Sequence, residues 1–315
     1  MTEFLQTTFS TFYALIPVTI AQSLIMGFVV LGIMLPFRVL SFPDMTAEGA
    51  FPLGGCVATI LIASGMNPWL AVFAAMAAGF AAGCCTAYIH LRFRIHTLLA
   101  GILMTTMLYS VNLRIMGRSN ISLFGNGSIL DVIPLSGEGS PLNKIAIVGG
   151  LLALVFVALN YFFKTEKGTA MRAVGANPDM SEAQGINVWT ATIVGIGLAG
   201  GLSALSGALM VQSQGFGDIN MGLGVLINGL AALMIGEAII GNQTVMRQLL
   251  APIVGALIYY QLISLCLAAN MPPPDLKLAT GLFVLFMLAL PSLRRGRGTS
   301  GATPRESMRE RPSAG

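Results

Sequence analysis

Asp44 and Glu48 lie four residues apart, the spacing that puts two carboxylates on one face of a helix. Such a pair could sit at the mouth of a pore or in its lining. The plainer reading makes Asp44 a helix cap and sets Glu48 at an interface beside Arg38. Glu237 stands alone in the apolar run Leu233–Gly241, with Arg247 the nearest cation after it in sequence. Structural pairing of Glu237 is expected before any transport role. Asn228 in the same span could line a pathway or bond one helix to another. His90 and His96 flank Arg92 and Arg94 with no cysteine or carboxylate at ligand spacing, so no metal site is expected. The four cysteines, Cys56, Cys84, Cys85 and Cys266, all fall in apolar runs and read as small packing residues. Gly195-Ile-Gly197-Leu-Ala-Gly200 matches a dinucleotide fingerprint in letters only, because an apolar span and not a strand precedes it. No nucleophile–base or metal constellation emerges. The expectation is therefore no catalytic residue, no metal and no cofactor. The sequence also has no phosphate-binding loop of the G-x-x-x-x-G-K-S/T type. If ATP drives this protein, another chain hydrolyses it.

The elements that must hold these residues follow from composition. Hydrophobic residues make up 55% of the 315 and charged residues only 10%, with a mean hydropathy of +0.79. Soluble domains carry about 25% charged residues, so this chain cannot coat itself with polar surface. Charge-free runs cover 4–37, 49–91, 95–113, 145–163, 183–217, 219–236, 248–274 and 278–293. A helix needs roughly 20 apolar residues to cross the bilayer. The run 49–91 is long enough for two and breaks at Ser64-Gly-Met-Asn-Pro68, a turn signature. The expected fold is all-α, a polytopic bundle of about nine membrane helices. Short alternating strands of the barrel type are missing from the pattern.

Alternating nine spans collects thirteen Lys and Arg residues on one side and four on the other, or seven against four without the tail arginines. The positive-inside rule then puts the N-terminus outside and the C-terminus in the cytoplasm. Most of the net charge of +4 belongs to the tail, so nucleic acid is not an expected partner. Residues 1–14 read as an interfacial leader rather than a cleaved signal, since no basic residue precedes Arg38. Residues 15–293 form the membrane domain, with an external loop at 117–143 and a cytoplasmic segment at 164–187. Residues 294–315 read as a disordered basic tail.

The cytoplasmic segment has an internal design. Asn177 suits an N-cap and Pro178 the first helical position. Asp179 and Glu182 favour the positive end of the helix dipole. Gly185 can end the helix in a left-handed conformation. A helix this short is not stable alone in water. It is either a plain linker packed on its own domain or an element that docks on another protein.

The pattern Ala173-x-Gly175-x-Asn177-Pro178-x(4)-Ala183-x-Gly185-Ile186 resembles the cytoplasmic coupling segment of ATP-binding-cassette importer permeases, in the branch containing the branched-chain amino acid and ribose permeases. Asp44-Met-Thr46-Ala-Glu48-Gly49 resembles the segment that opens the second span in that branch. Its form is similar to a bacterial subgroup for which aromatic amino acids have been suggested as substrates. The resemblance covers about residues 15–293. It implies a permease of the bacterial inner membrane that moves a small solute, such as an amino acid, inward by alternating access. It further implies two separate ATPase subunits, a second permease copy and an external substrate-binding protein. Asn177, Pro178, Glu182, Ala183 and Gly185 would form the ATPase-coupling element. The rival reading is a secondary transporter driven by an ion gradient, a class that places ionisable residues and broken helices at the membrane midplane. Here Asp44, Glu48 and Glu237 are all expected close to the cytoplasmic face.

Overall fold

The computed structural model describes residues 2–123, 125, 127–131 and 141–269, with isolated positions between 271 and 285. The described helices are α1 (Thr2–Met34), α2 (Thr46–Ala63), α3 (Pro68–Phe93), α4 (Thr97–Met116), α5 (Pro141–Lys164), α6 (Glu166–Ala176), α7 (Pro178–Ala183), α8 (Val188–Gln214), α9 (Val225–Ile240) and α10 (Val245–Ala268). A π-helical turn, Leu35–Val39, continues α1. Strands β1 (Asn120–Ser122) and β2 (Phe216–Asp218) pair antiparallel, with Ile121 opposite Gly217. Among the described residues eight segments are long and apolar enough to cross a membrane. They correspond to the first eight spans expected from the sequence. The proposed ninth, 278–293, falls largely outside the described residues, as do 132–140 of the expected loop and the tail 294–315.

Local signals account for most element ends. Between α2 and α3, Gly65 takes a positive φ of 80° and the Asn67 side chain accepts the Trp69 N–H at 3.0 Å, with Pro68 at the first helical position. The first helix is continuous from Thr2, so residues 2–14 of the stretch read as a leader run unbroken into the first span.

The centre of the bundle is α8, which is apolar on every side because it is buried on every side. Lipid tails are as apolar as leucine, so membrane helices gain little from hydrophobicity alone and associate through close backbone approach. The small residues of α8 allow this against three neighbours. A Cβ at Gly54 of α2 would run into the Ala204 carbonyl, and one at Gly207 into the Phe51 carbonyl. Against α3, Gly79 meets the Gly200 backbone and Gly83 meets the Ile196 carbonyl. The small-residue surfaces expected at Gly79–Gly83 and Gly197–Gly201 thus face each other, although Gly200 makes the closest approach and Gly201 is looser. Against α1, Ser206 donates to the Ile25 carbonyl at 2.6 Å. In contrast, α5 lies at the edge, with Leu154, Val157 and Tyr161 exposed. Of the cysteines only Cys56 is fully buried, and Cys85 faces outward from α3. The packing role expected for all four therefore holds in full for one.

Two stretches break the simple picture of helices joined at the surface. After the π-helical turn the chain turns at Ser41, with φ of 51°, and re-enters the bundle. The Thr46 hydroxyl then lies 2.9 Å from that of Thr86, seven residues before the end of α3. Thr105, eight residues into α4, donates to the Met45 carbonyl at 3.1 Å. At 1.5 Å per residue, α2 therefore begins about 10 Å inside the level where α3 ends. The second stretch, 217–224, runs down the side of α2 before α9 starts.

Candidate functional site

On the side where α1 ends, α6 and α7 form a compact two-helix unit. The Asn177 side chain accepts the Met180 N–H at 3.0 Å, and Pro178 occupies the first position of α7. Ser181, the one buried residue of α7, donates to the Asn177 carbonyl at 2.8 Å. At the other end, Gly185 has a φ of 84°. Its N–H bonds the Glu182 carbonyl at 2.9 Å, and the Ile186 N–H bonds the Ser181 carbonyl at 3.0 Å. Those two bonds make a complete Schellman closure, which satisfies carbonyls the helix would otherwise leave bare. The structure brings Asn177, Pro178, Glu182 and Ala183 together on one exposed helix that Gly185 terminates. In their midst stands Met180, 61% exposed, an apolar side chain that sequence reasoning passed over.

Sequence reasoning also missed α6. Thr165 caps it by accepting the Gly168 N–H at 3.4 Å, and Gly168, Met171 and Val174 form its buried face. Two glycines let it lie directly on its neighbours. A Cβ at Gly168 would strike the Phe162 carbonyl, and one at Gly175 the Val39 carbonyl in the π-helical turn. Exposed α7 is thus fixed, through α6, to the end of α1.

The π-helical turn makes a second long-range link. Arg38 forms an ion pair with Glu237 on α9, the side chains being 42% and 12% exposed. The nearest cation in sequence, Arg247, instead lies past the α9–α10 turn, where its N–H is held by the Thr244 hydroxyl at 3.3 Å. The expected structural pairing of Glu237 exists, but the folding of α1 beside α9 supplies the partner. Asn228 accepts the Tyr259 hydroxyl at 3.0 Å, a bond between α9 and α10.

Asp44 and Glu48 separate. Asp44 precedes α2 and does not share a helical face with Glu48. Its Oδ1 accepts the Thr46 N–H at 2.9 Å and the Thr46 hydroxyl at 2.6 Å, and the residue is sealed beneath Gly101 of α4. Glu48 is half-buried, and its Oε1 accepts the Gly224 N–H at 2.7 Å. Neither carboxylate stays at the surface level of the helices, because the chain re-enters the bundle before α2 begins. His90 Nδ1 is 2.6 Å from the Ile95 carbonyl, with its ring edge-on to Phe42 at 4.9 Å, so the histidine locks the α3–α4 turn.

Comparison with known proteins bears on this arrangement. The sequence profile of the branched-chain amino acid transport system permease component matches residues 16–290. A tyrosine transport system permease protein of Clostridioides difficile (strain R20291) is 38% identical over 277 residues, covering 86% of this chain and 90% of that one. An uncharacterized protein of Rickettsia prowazekii (strain Madrid E) is 36% identical over 278 residues, covering 87% and 96%. The ribose import permease protein RbsC of Escherichia coli (strain K12) is 27% identical over 216 residues, covering 68% and 66%. No solved structure matches.

Proposed function

Because the chain belongs to the branched-chain amino acid transport permease family, we propose that it provides the membrane path of an importer and is moved by ATPase subunits that grip α7. A permease component of this kind is not an enzyme: ATP is hydrolysed on separate subunits, and the chain is a multi-pass protein of the bacterial inner membrane. The α6–α7 side would face the cytoplasm and the β1–β2 side the exterior, where a binding protein delivers solute. The solute class is amino acids, aromatic ones first among them, in keeping with the tyrosine permease among the relatives. A second permease copy would complete the path.

The observation that carries this reading is α7 itself. Capped at both ends, it leaves all but Ser181 exposed and rests through α6 on the end of α1. A short helix held rigid while presenting Met180 and Glu182 to solvent has the form of a docking element, with Met180 an apolar anchor. Closure of the ATPases would push α7, shift α6 against the π-helical turn, and tilt α1 and α8 so that the path opens to the other side.

The test is co-purification of the tagged chain from native membranes in mild detergent, with L-tyrosine uptake in parallel. Wild type is expected to recover an ATP-binding-cassette subunit and to import tyrosine with ATP. Glu182→Arg, a change on an exposed side chain, is expected to lose both while still inserting. Uptake that survives ATP depletion and collapses with an uncoupler would overturn the reading in favour of an ion-driven transporter.

A further inference from the structure

Segment 217–224 does not stay at the membrane surface. Gly217 sits against Thr59, Met221 against Gly55, and Gly222 against Pro52 and the Glu48 carbonyl. From Thr59 to Glu48 the chain descends α2 by about 16 Å before α9 begins. Glu48 itself lies about 22 Å along α2 from its far end at Ala63. In a hydrocarbon layer about 30 Å thick, that sets Glu48 within the layer, on the side where α2 begins. There the Glu48 carboxylate accepts the Gly224 N–H, one of the donors a helix start leaves unpaired.

An ionisable group at that depth faces protein or water and not lipid. Yet Glu48 is only half-buried, and beside its bond to Gly224 the side chains of Leu223 and Ile227 are 73% and 70% exposed. This open face therefore borders water or a further protein chain, such as the second copy that would complete the path. Among the described residues the one ion pair is Arg38–Glu237, so none of their cations pairs with Glu48. An ionised carboxylate offers about four acceptor positions, and the bond to Gly224 takes one.

We propose that Glu48 is the point in the solute path that receives the ammonium group of an amine-bearing solute, as in a zwitterionic amino acid. A negative charge held at depth by a helix start complements an ammonium and is of no use to a neutral sugar. The inference rests on the permease reading and goes beyond it by giving the solute's charge a contact on this chain. The rival role, a mere cap for α9, makes a different prediction. Glu48→Gln keeps an acceptor oxygen for Gly224 but removes the charge.

The experiment does not require the solute to be identified. Ile227→Cys is placed in the full chain with its four native cysteines replaced, assembled with its ATPase in membrane vesicles. The thiol is reacted with a trimethylammonium-ethyl and a sulfonatoethyl methanethiosulfonate, each rate taken relative to a free thiol. Both reagents are expected to react, the cationic one about tenfold faster, as one nearby charge suffices to produce. Glu48→Gln should bring the two rates to parity, and Glu48→Asp should keep the preference. No reaction with either reagent would mean a face covered by lipid or protein and would overturn the proposal. So would a preference that persists in Glu48→Gln. Failure here is distinct from failure of the permease reading, which is judged by ATPase co-purification alone.

Discussion

Glu237 and Arg38 illustrate what a single pair of residues can decide in a membrane protein. Glu237 is nearly enclosed, while Arg38 still reaches solvent. Removing one partner strands the other, which for a pair half open to water costs about 1–2 kcal/mol, below the range of a fully buried pair. Glu237→Gln and Arg38→Gln are each expected to lower the thermal unfolding temperature in detergent, and the charge swap Arg38→Glu/Glu237→Arg to recover at least half of the loss. Arg247→Gln should leave the temperature unchanged, although Arg247 is the nearer cation in sequence. A swap no better than the worse single variant would show that the pair does not stabilise the fold. The same scale separates Asp44 from Glu48. Their types and spacing were readable, and their fates were not, because Thr46 and Gly101 close over one while the other meets a helix start from a distant loop.

At the scale of elements, α7 was legible in advance and α6 was not. The ends of α7 are set by residues inside it or next to it, an Asn cap, a Pro at the first position and a Gly that accepts positive φ. Helix α6 carries two glycines, which weaken a helix by about 1 kcal/mol each relative to alanine. What justifies them is contact with Phe162 and Val39, residues that belong to other elements. That contact makes α6 the link between α7 and the end of α1. Gly175→Leu is expected to push α6 away from Val39. The ATPase should still co-purify, because the exposed surface of α7 is untouched, while uptake falls to background. Uptake at the wild-type rate with the complex assembled would remove α6 from the coupling route.

For the molecule as a whole, the charge count implies an orientation that the fold makes testable. The Ser64–Pro68 turn and α7 lie at opposite ends of the bundle, and both Met66 and Glu182 are exposed. In a cysteine-free background, Met66→Cys should react with an impermeant maleimide on intact cells, and Glu182→Cys only after permeabilisation. The reverse pattern would invert the topology. Composition and hydropathy alone determined that the chain spans a membrane and where eight of its spans run, because each span must satisfy lipid along its own length. Capping residues alone determined α7, because a helix end is a local hydrogen-bonding problem. Only the tertiary structure decided how deep Glu48 lies and which cation Glu237 meets. Those contacts join residues 176 and 199 positions apart. They depend on where the chain re-enters the bundle and on which helix faces the small residues of α8 allow to meet.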